Sequence, residues 1–187
     1  NMLHMVSAFA TEARVVLGQD KVDKKSNEIT AIPLLLDLFD VKGHIVTIDA
    51  MGCQYAIANK IIAKNGDYIF ALKGNQGSLV ADVELLFAKP PTKTIIVTDS
   101  DCDKGHGRLE TRICSVITDV AWLQAEHENW QTIQSIIKIE STREMLDGGD
   151  IKKTSHESRY YISSLKNPTP KELLCAIRSH WGIENTL

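Results

Sequence analysis

The sequence predicts a mixed α/β fold whose second half is rich in β-structure. Three observations lead there. Short apolar runs at residues 44–50 and 67–72 flank an amphipathic stretch at 54–64, the strand–helix–strand pattern of a parallel crossover. Between 94 and 164 the pattern changes to β-branched runs separated by turns rich in Asp and Gly. From Thr169 the periodicity is helical again and stays so to the end.

Each element has a local reason. Residues 3–9 and 13–19 carry the β-branched content of a hairpin, with Thr11 and Glu12 in its turn. The polar run 20–27 follows as strand end and loop. Residues 31–40 are rich in Leu and read as a helix, with Thr30 as N-cap and Pro33 in the first turn, where its missing N–H is harmless. Gly43 ends the connection, and 44–50 is a continuous apolar strand expected to be buried. The helix at 54–64 is expected to bury Ala56, Ile57, Ile61 and Ile62, and Asn65-Gly66 stops it. After the strand 67–72, residues 73–77 form a loop. Ser78 caps a helix at 79–87, which Pro90-Pro91 terminates. The β-rich part has strands at 94–98, 108–118, 132–140 and 158–162. Turns fall at 99–107 and 147–150, and a short helix at 120–125. Thr169-Pro170-Lys171-Glu172 is a capping box with Pro in the first helical position.

Composition excludes several classes. A hydrophobic fraction of 43% and a charged fraction of 24% are those of a soluble globular chain, and 187 residues suffice for one domain with an insertion. A net charge of -3 excludes a histone-like basic field but leaves room for a local basic groove. No apolar stretch nears the roughly 18 residues of a membrane span, and no signal peptide opens the chain. Cys53, Cys102, Cys114 and Cys175 form no C-x-x-C pair, which favours a reducing, cytoplasmic setting over zinc or disulfides. Both ends read as cut. Asn1 stands ahead of Met2, and the helical pattern at the other end has no Gly or Pro stop.

Two acids stand where a bare carboxylate is costly. Asp49 closes the run Ile45-Val46-Thr47-Ile48, and Glu184 follows Leu173, Ile177 and Trp181 on one helical stripe. Burying an unpaired carboxylate costs several kcal/mol or forces its protonation, so a divalent cation is an obvious partner. Asp49 lies at the C-terminal edge of a strand with a parallel neighbour, where open α/β sheets bind ligands. Lys73, Asn75 and Gln76 leave the neighbouring strand at that edge. The competing readings are a cap on the following helix for Asp49 and a rim ion pair for Glu184. Gly182 costs its helix about 1 kcal/mol against Ala, which suggests a close approach. Arg108, Glu110 and Arg112 share one strand face, after a turn holding Lys104 and His106. From the residues alone an ion-paired face has precedence there over phosphate contacts. The six His show no metal spacing.

Five segments occur in order: 46–54 (VTIDAMGCQ), 72–76 (LKGNQ), 104–112 (KGHGRLETR), 159–165 (RYYISSL) and 180–185 (HWGIEN). The series resembles the DDE transposases of bacterial insertion sequences, specifically the H-repeat-associated (ISAs-type) group, over nearly all of the chain. The resemblance implies a ribonuclease-H-like core in which two Asp and one Glu hold two Mg²⁺ or Mn²⁺ ions. Asp49 matches the second Asp and Glu184 the final Glu. The first Asp belongs on a strand before the hairpin. No substitute appears in residues 1–20, Asp20 being read as part of a loop, so this piece is expected to be inactive alone. The implied division is a core at 2–90 lacking its first strand, a β-rich insertion at 91–165, and a last helix at 166–187 returning to the core. The implied activity is cleavage and transfer of DNA strands at element ends, with double-stranded DNA as partner and a homodimer in the active complex. Lys73, Asn75, Gln76, Lys104, His106, Arg108, Arg112, Arg178 and His180 are the implied DNA contacts. In the Tyr–Arg–Glu–Lys signature of related enzymes, Ile177 replaces the Tyr, His180 replaces the Arg, and the Lys position lies beyond Leu187. The alternatives are a non-catalytic remnant that binds DNA or dimerises, a nuclease or resolvase that cuts without joining, and a structural α/β module. The transposase reading expects the carboxylates of Asp49 and Glu184 to converge on one cleft.

Overall fold

An antiparallel hairpin opens the chain. Strand β1 (His4–Ala10) pairs with β2 (Val15–Val22), His4 opposite Val22 and Ala10 opposite Val15, with a register shift at Ala8/Phe9. The computed structural model describes residues 4–10, 15–22, 28–105, 107–147 and 150–180. The chain divides into two units, Asn1–Ala71 with Cys175–Leu187, and Leu72–Leu174. Asp20 lies inside β2 opposite Val6, not in a loop, because pairing with β1 satisfies the backbone of the longer strand.

In the first unit α1 spans Glu28–Leu38, so the helix starts before Thr30 and holds Pro33 in its interior. The proline forfeits the hydrogen bond to the carbonyl of Ile29. Burial of Ala31, Leu35 and Leu36 carries the helix through the defect. Strand β3 (Ile45–Ile48), helix α2 (Tyr55–Ala63) and strand β4 (Asp67–Leu72) form the expected crossover, parallel from Ile45↔Asp67 to Ile48↔Phe70. Helix α2 buries Ile57, Ala58 and Ile61, whereas Ala56 is exposed and Ile62 half-buried, so the apolar stripe is turned from its expected position. The helix stops at Asn65 (φ 59°), and the Gly66 N–H donates to the Ile61 carbonyl at 3.1 Å. A Cβ on Gly66 would stand 2.8 Å from the Val41 carbonyl oxygen, so the stop requires glycine. Lys60 Nζ meets Asp37 at 2.6 Å, and Lys64 Nζ donates to the Leu36 carbonyl, tying α2 to α1. Strand β4 is buried through Tyr68, Ile69, Phe70 and Leu72. Strand β3 is not: Ile45 is exposed and Val46, Thr47 and Ile48 are half-buried. Among the described residues β3 has β4 as its single hydrogen-bonded neighbour and so stands at the sheet edge.

The second unit begins with a 3₁₀ turn at Gly74–Gln76 and α3 (Gly77–Ala88), whose first turn contains Ser78 rather than being capped by it. A meander of four antiparallel strands follows: β5 (Val97–Gly105), β6 (Arg108–Ile117), β7 (Ser135–Asp147) and β8 (Asp150–Ser163). Helix α4 (Ala121–Glu126) lies between β6 and β7. Residues 99–105 are strand, not turn. Asp101 faces Arg112 across the ladder, an opposite-charge pair that outweighs the turn propensity of the Asp run. Ile117, Ile136, Ile137 and Ile162 of this sheet are fully buried, as are Leu123 and Ile133 between β6 and β7, while 151–158 are exposed throughout. His127 Nε2 and Asp82 Oδ2, 2.8 Å apart, join the end of α4 to α3.

Helix α5 (Pro170–His180) opens with the expected box. Thr169 N–H donates to Glu172 Oε2 at 2.9 Å, Thr169 Oγ1 to the same oxygen at 2.7 Å, and Glu172 N–H to Thr169 Oγ1 at 3.3 Å. These bonds from the Thr169 backbone and hydroxyl hold the Glu172 carboxyl below its usual range. Among the described residues no helix is long and apolar enough to cross a membrane.

Candidate active site

Asp49 stands one residue beyond β3 and is exposed, not buried. The ladder with β4 ends at Ile48↔Phe70, one residue short of it. Its Oδ1 accepts from the N–H groups of Met51 and Gly52, both at 3.2 Å, so Asp49 caps the loop, and α2 begins separately at Gln54. Oδ2 has no hydrogen bond among the described residues. The loop then folds back tightly over the strand. Gly52 is buried, and a Cβ there would collide with Ile48 and lie 2.9 Å from Ile32 Cδ1. Cys53 follows at 0% exposure, its thiol pushed up to about 12 by burial first and by the Asp49 charge second. It is a packing residue, not a nucleophile.

The C-terminal end of α5 reaches the same strand. Thr47 Oγ1 and His180 Nδ1 are 3.0 Å apart in a partly buried contact. Thr47 lies in β3, two positions before Asp49. Ile177 is buried and Arg178 exposed. Glu184, Trp181 and Gly182 lie outside the described residues, as does His106.

In the second unit Lys73 and Asn75 are exposed and Gln76 is half-buried. Glu157 is held below the usual carboxylate range by its hydrogen bond from Arg159, against a burial cost, with smaller help from the charges of Arg159, Arg143 and Lys73. Lys104 is exposed. Arg108 and Arg112 both turn to Glu110, which is only 4% exposed. Arg112 Nη2 is 2.7 Å from Glu110 Oε2, Arg108 Nη2 is 3.5 Å from it, and Arg143 Nε donates to Oε1 at 2.9 Å. This is the ion-paired strand face, but built around a buried carboxylate. Burial would push Glu110 up. The Arg143 hydrogen bond and the charges of Arg112, Arg143 and Arg108 outweigh it and hold the carboxyl below its ordinary range. Sequence reasoning missed Arg143. It faces Glu110 in the β6–β7 register, which no local pattern reveals. Asp103, Gly105, Arg108 and Glu110 line a pocket of about 240 Å³ at this end of the sheet.

Among the described residues no group of three or more His, Cys, Asp or Glu side chains is placed to hold a metal ion. Asp49 nevertheless offers what a hard divalent cation takes, a carboxylate oxygen that nothing described engages.

The whole chain, residues 1–187, matches the family model described as a transposase DDE domain. It is 41% identical over 192 aligned positions to the "H repeat-associated putative transposase YhhI" of Escherichia coli K12, covering 99% of this chain and 49% of that protein. It is 43% identical over 190 positions to the "Putative transposase YncI" of Escherichia coli O157:H7, covering 99% and 47%. It is 50% identical over 122 positions to the "H repeat-associated putative transposase YbfD" of Escherichia coli K12, covering 63% and 47%. The chain thus spans about half the length of these curated relatives. By this match the chain belongs to the DDE transposase family, in the company of H repeat-associated members.

Proposed function

We propose that this chain is part of the catalytic core of a transposase that cuts and joins DNA at the ends of an insertion sequence. In this reading residues 2–90 and 166–187 belong to a ribonuclease-H-like core, and 91–165 are its β-rich insertion. The observation that carries it is Asp49: an exposed carboxylate just past the C-terminal end of a parallel strand, one oxygen fixed by two backbone N–H groups and the other without a hydrogen bond among the described residues. Glu184 supports it by spacing. It stands four positions after His180 in the sequence, and His180 reaches Thr47, two residues before Asp49.

Asp49 and Glu184 are the residues that would hold Mg²⁺ or Mn²⁺. Bound there, a divalent ion would supply charge neutralisation at phosphorus and activation of water or a DNA 3′-hydroxyl. The loop bonds to Met51 and Gly52 orient the Asp49 carboxylate beforehand. Lys73, Lys104, His106, Arg108 and Arg178 supply cations for the phosphates of double-stranded DNA, with Asn75 and Gln76 at sugar or base. Arg108 keeps 52% side-chain exposure despite its carboxylate, whereas Arg112, at 16%, serves Glu110. The active complex is a homodimer on its two DNA ends.

The test is strand cleavage and joining by the full-length protein with Mg²⁺ or Mn²⁺. Loss of a metal ligand forfeits several kcal/mol at the transition state, so Asp49→Asn is expected to lower turnover by about 10³-fold or more. Undiminished turnover rejects the assignment. Cut but unjoined products point to a nuclease, and DNA binding without any metal-dependent cut points to a non-catalytic remnant.

A further inference from the structure

We infer that the Thr47–His180 hydrogen bond pins α5 to β3, making His180 a positioning residue for the acid that follows it rather than a contact to DNA. The inference rests on the transposase reading for the role of Glu184. The bond joins residues 133 apart in sequence at 3.0 Å, in a partly buried setting.

The pin answers a problem that apolar packing leaves open. Helix α5 buries Leu173, Leu174 and Ile177. Such burial is non-directional and favours covering the stripe without fixing where along its axis the helix stops. A slip of one residue moves a side chain about 1.5 Å along the axis and turns it by about 100°. That is enough to take a carboxylate out of metal-ligand range, where distances hold within about 0.2 Å. A hydrogen bond weakens steeply outside its preferred distance and angle, so a single polar contact can select one register. Its ends are suitably placed. Thr47 lies in β3 two positions before Asp49, and His180 is four positions before Glu184 in the sequence. On that reading, a change in this contact is expected to reach Glu184 through the chain that follows His180. The imidazole suits the task. It is short and planar, with few rotamers to lose, and the Thr47 hydroxyl takes up its Nδ1 end.

The test compares Thr47→Val, which keeps the shape and removes the hydroxyl, with Thr47→Ser, which keeps the hydroxyl, in the full-length protein. The first readout needs neither metal nor DNA. The ¹⁵N resonance of His180 Nδ1 is expected to move in Thr47→Val and to return in Thr47→Ser. The second is the Mn²⁺ concentration at half of the metal-linked rise in Tm. It is expected to increase about ten-fold or more in Thr47→Val, the size found for partners that orient metal ligands, and to recover in Thr47→Ser. The third is kinetic: kcat falls while KM for DNA is unchanged, and Thr47→Val with His180→Ala is no worse than His180→Ala alone. An unmoved Nδ1 resonance in Thr47→Val overturns the inference. So does a raised KM in His180→Ala beside a silent Thr47→Val, which would make His180 a DNA contact. Asp49→Asn separates the two levels. If it abolishes the metal response while Thr47→Val is silent, only the pin falls. If it too is silent, the transposase reading falls and takes the pin with it.

Discussion

Glu110 receives three guanidinium groups while only 4% exposed, and its neighbours decide what each of those arginines can do. Truncating one member of a buried ion network leaves the others uncompensated, at about 3–5 kcal/mol. Arg143 is 41% exposed and recovers part of its solvation, so the lower end applies. Glu110→Ala is expected to destabilise the protein by about 3 kcal/mol in equilibrium urea unfolding. The acid limb of stability tests the same site. The folded carboxyl lies below its ordinary value of 4.5, so the unfolded chain takes up the proton first. The contribution is present in full above that value and is lost as pH falls through it toward the lower folded value. Glu157 adds in the same direction. Unfolding midpoints measured between pH 6 and 3 are expected to fall more steeply in the parent than in Glu110→Gln, which cannot ionise there. Equal slopes would remove Glu110 as a source of acid sensitivity.

Elements whose signals are local were legible, and those whose signals are partners were not. The crossover β3–α2–β4 and the start of α5 follow from periodicity, Asn65-Gly66 and the Thr169–Glu172 box, all within one turn of the feature they set. The lengths of β5, β7 and β8 were not, because Asp101 opposite Arg112 and Glu110 opposite Arg143 become visible only once the strands are aligned. The site divides the same way. The place of Asp49 at a strand end could be read from the apolar run, but its exposure depends on what flanks β3, and its oxygen geometry depends on a loop that turns at Gly52. Two substitutions weigh these local signals. Thr169→Ala removes the hydroxyl that accepts from Glu172 N–H and is expected to cost about 1 kcal/mol, read as a lower urea midpoint with unchanged slope. Gly66→Ala drives a methyl against the Val41 carbonyl oxygen and is expected to cost about 1–3 kcal/mol, because backbone, unlike a flexible side chain, cannot step aside. A neutral Gly66→Ala would mean that the α2–β4 connection has slack.

At the scale of the molecule, a chain of net charge -3 can bind DNA only through cations that its own acids leave available. Many are engaged: Arg112 and Arg143 at Glu110, Arg159 at Glu157, Lys138 at Glu140 and Lys60 at Asp37. Drawing Arg112 away to a phosphate would strand part of a buried carboxylate at a cost of several kcal/mol. A phosphate contact in salt cannot repay that, since its gain comes mainly from released counterions. Lys73 and Lys104 are exposed, and neither is paired with a buried carboxylate among the described residues. The two groups therefore separate in a salt titration of the full-length protein on duplex DNA carrying an element end. Lys73→Ala and Lys104→Ala are each expected to reduce the slope of log K against log salt by about 0.9. Arg112→Ala is expected to lower the unfolding midpoint and leave that slope unchanged. A shallower slope in Arg112→Ala would show that DNA competes successfully with Glu110, and that the charged face of the meander opens when DNA arrives.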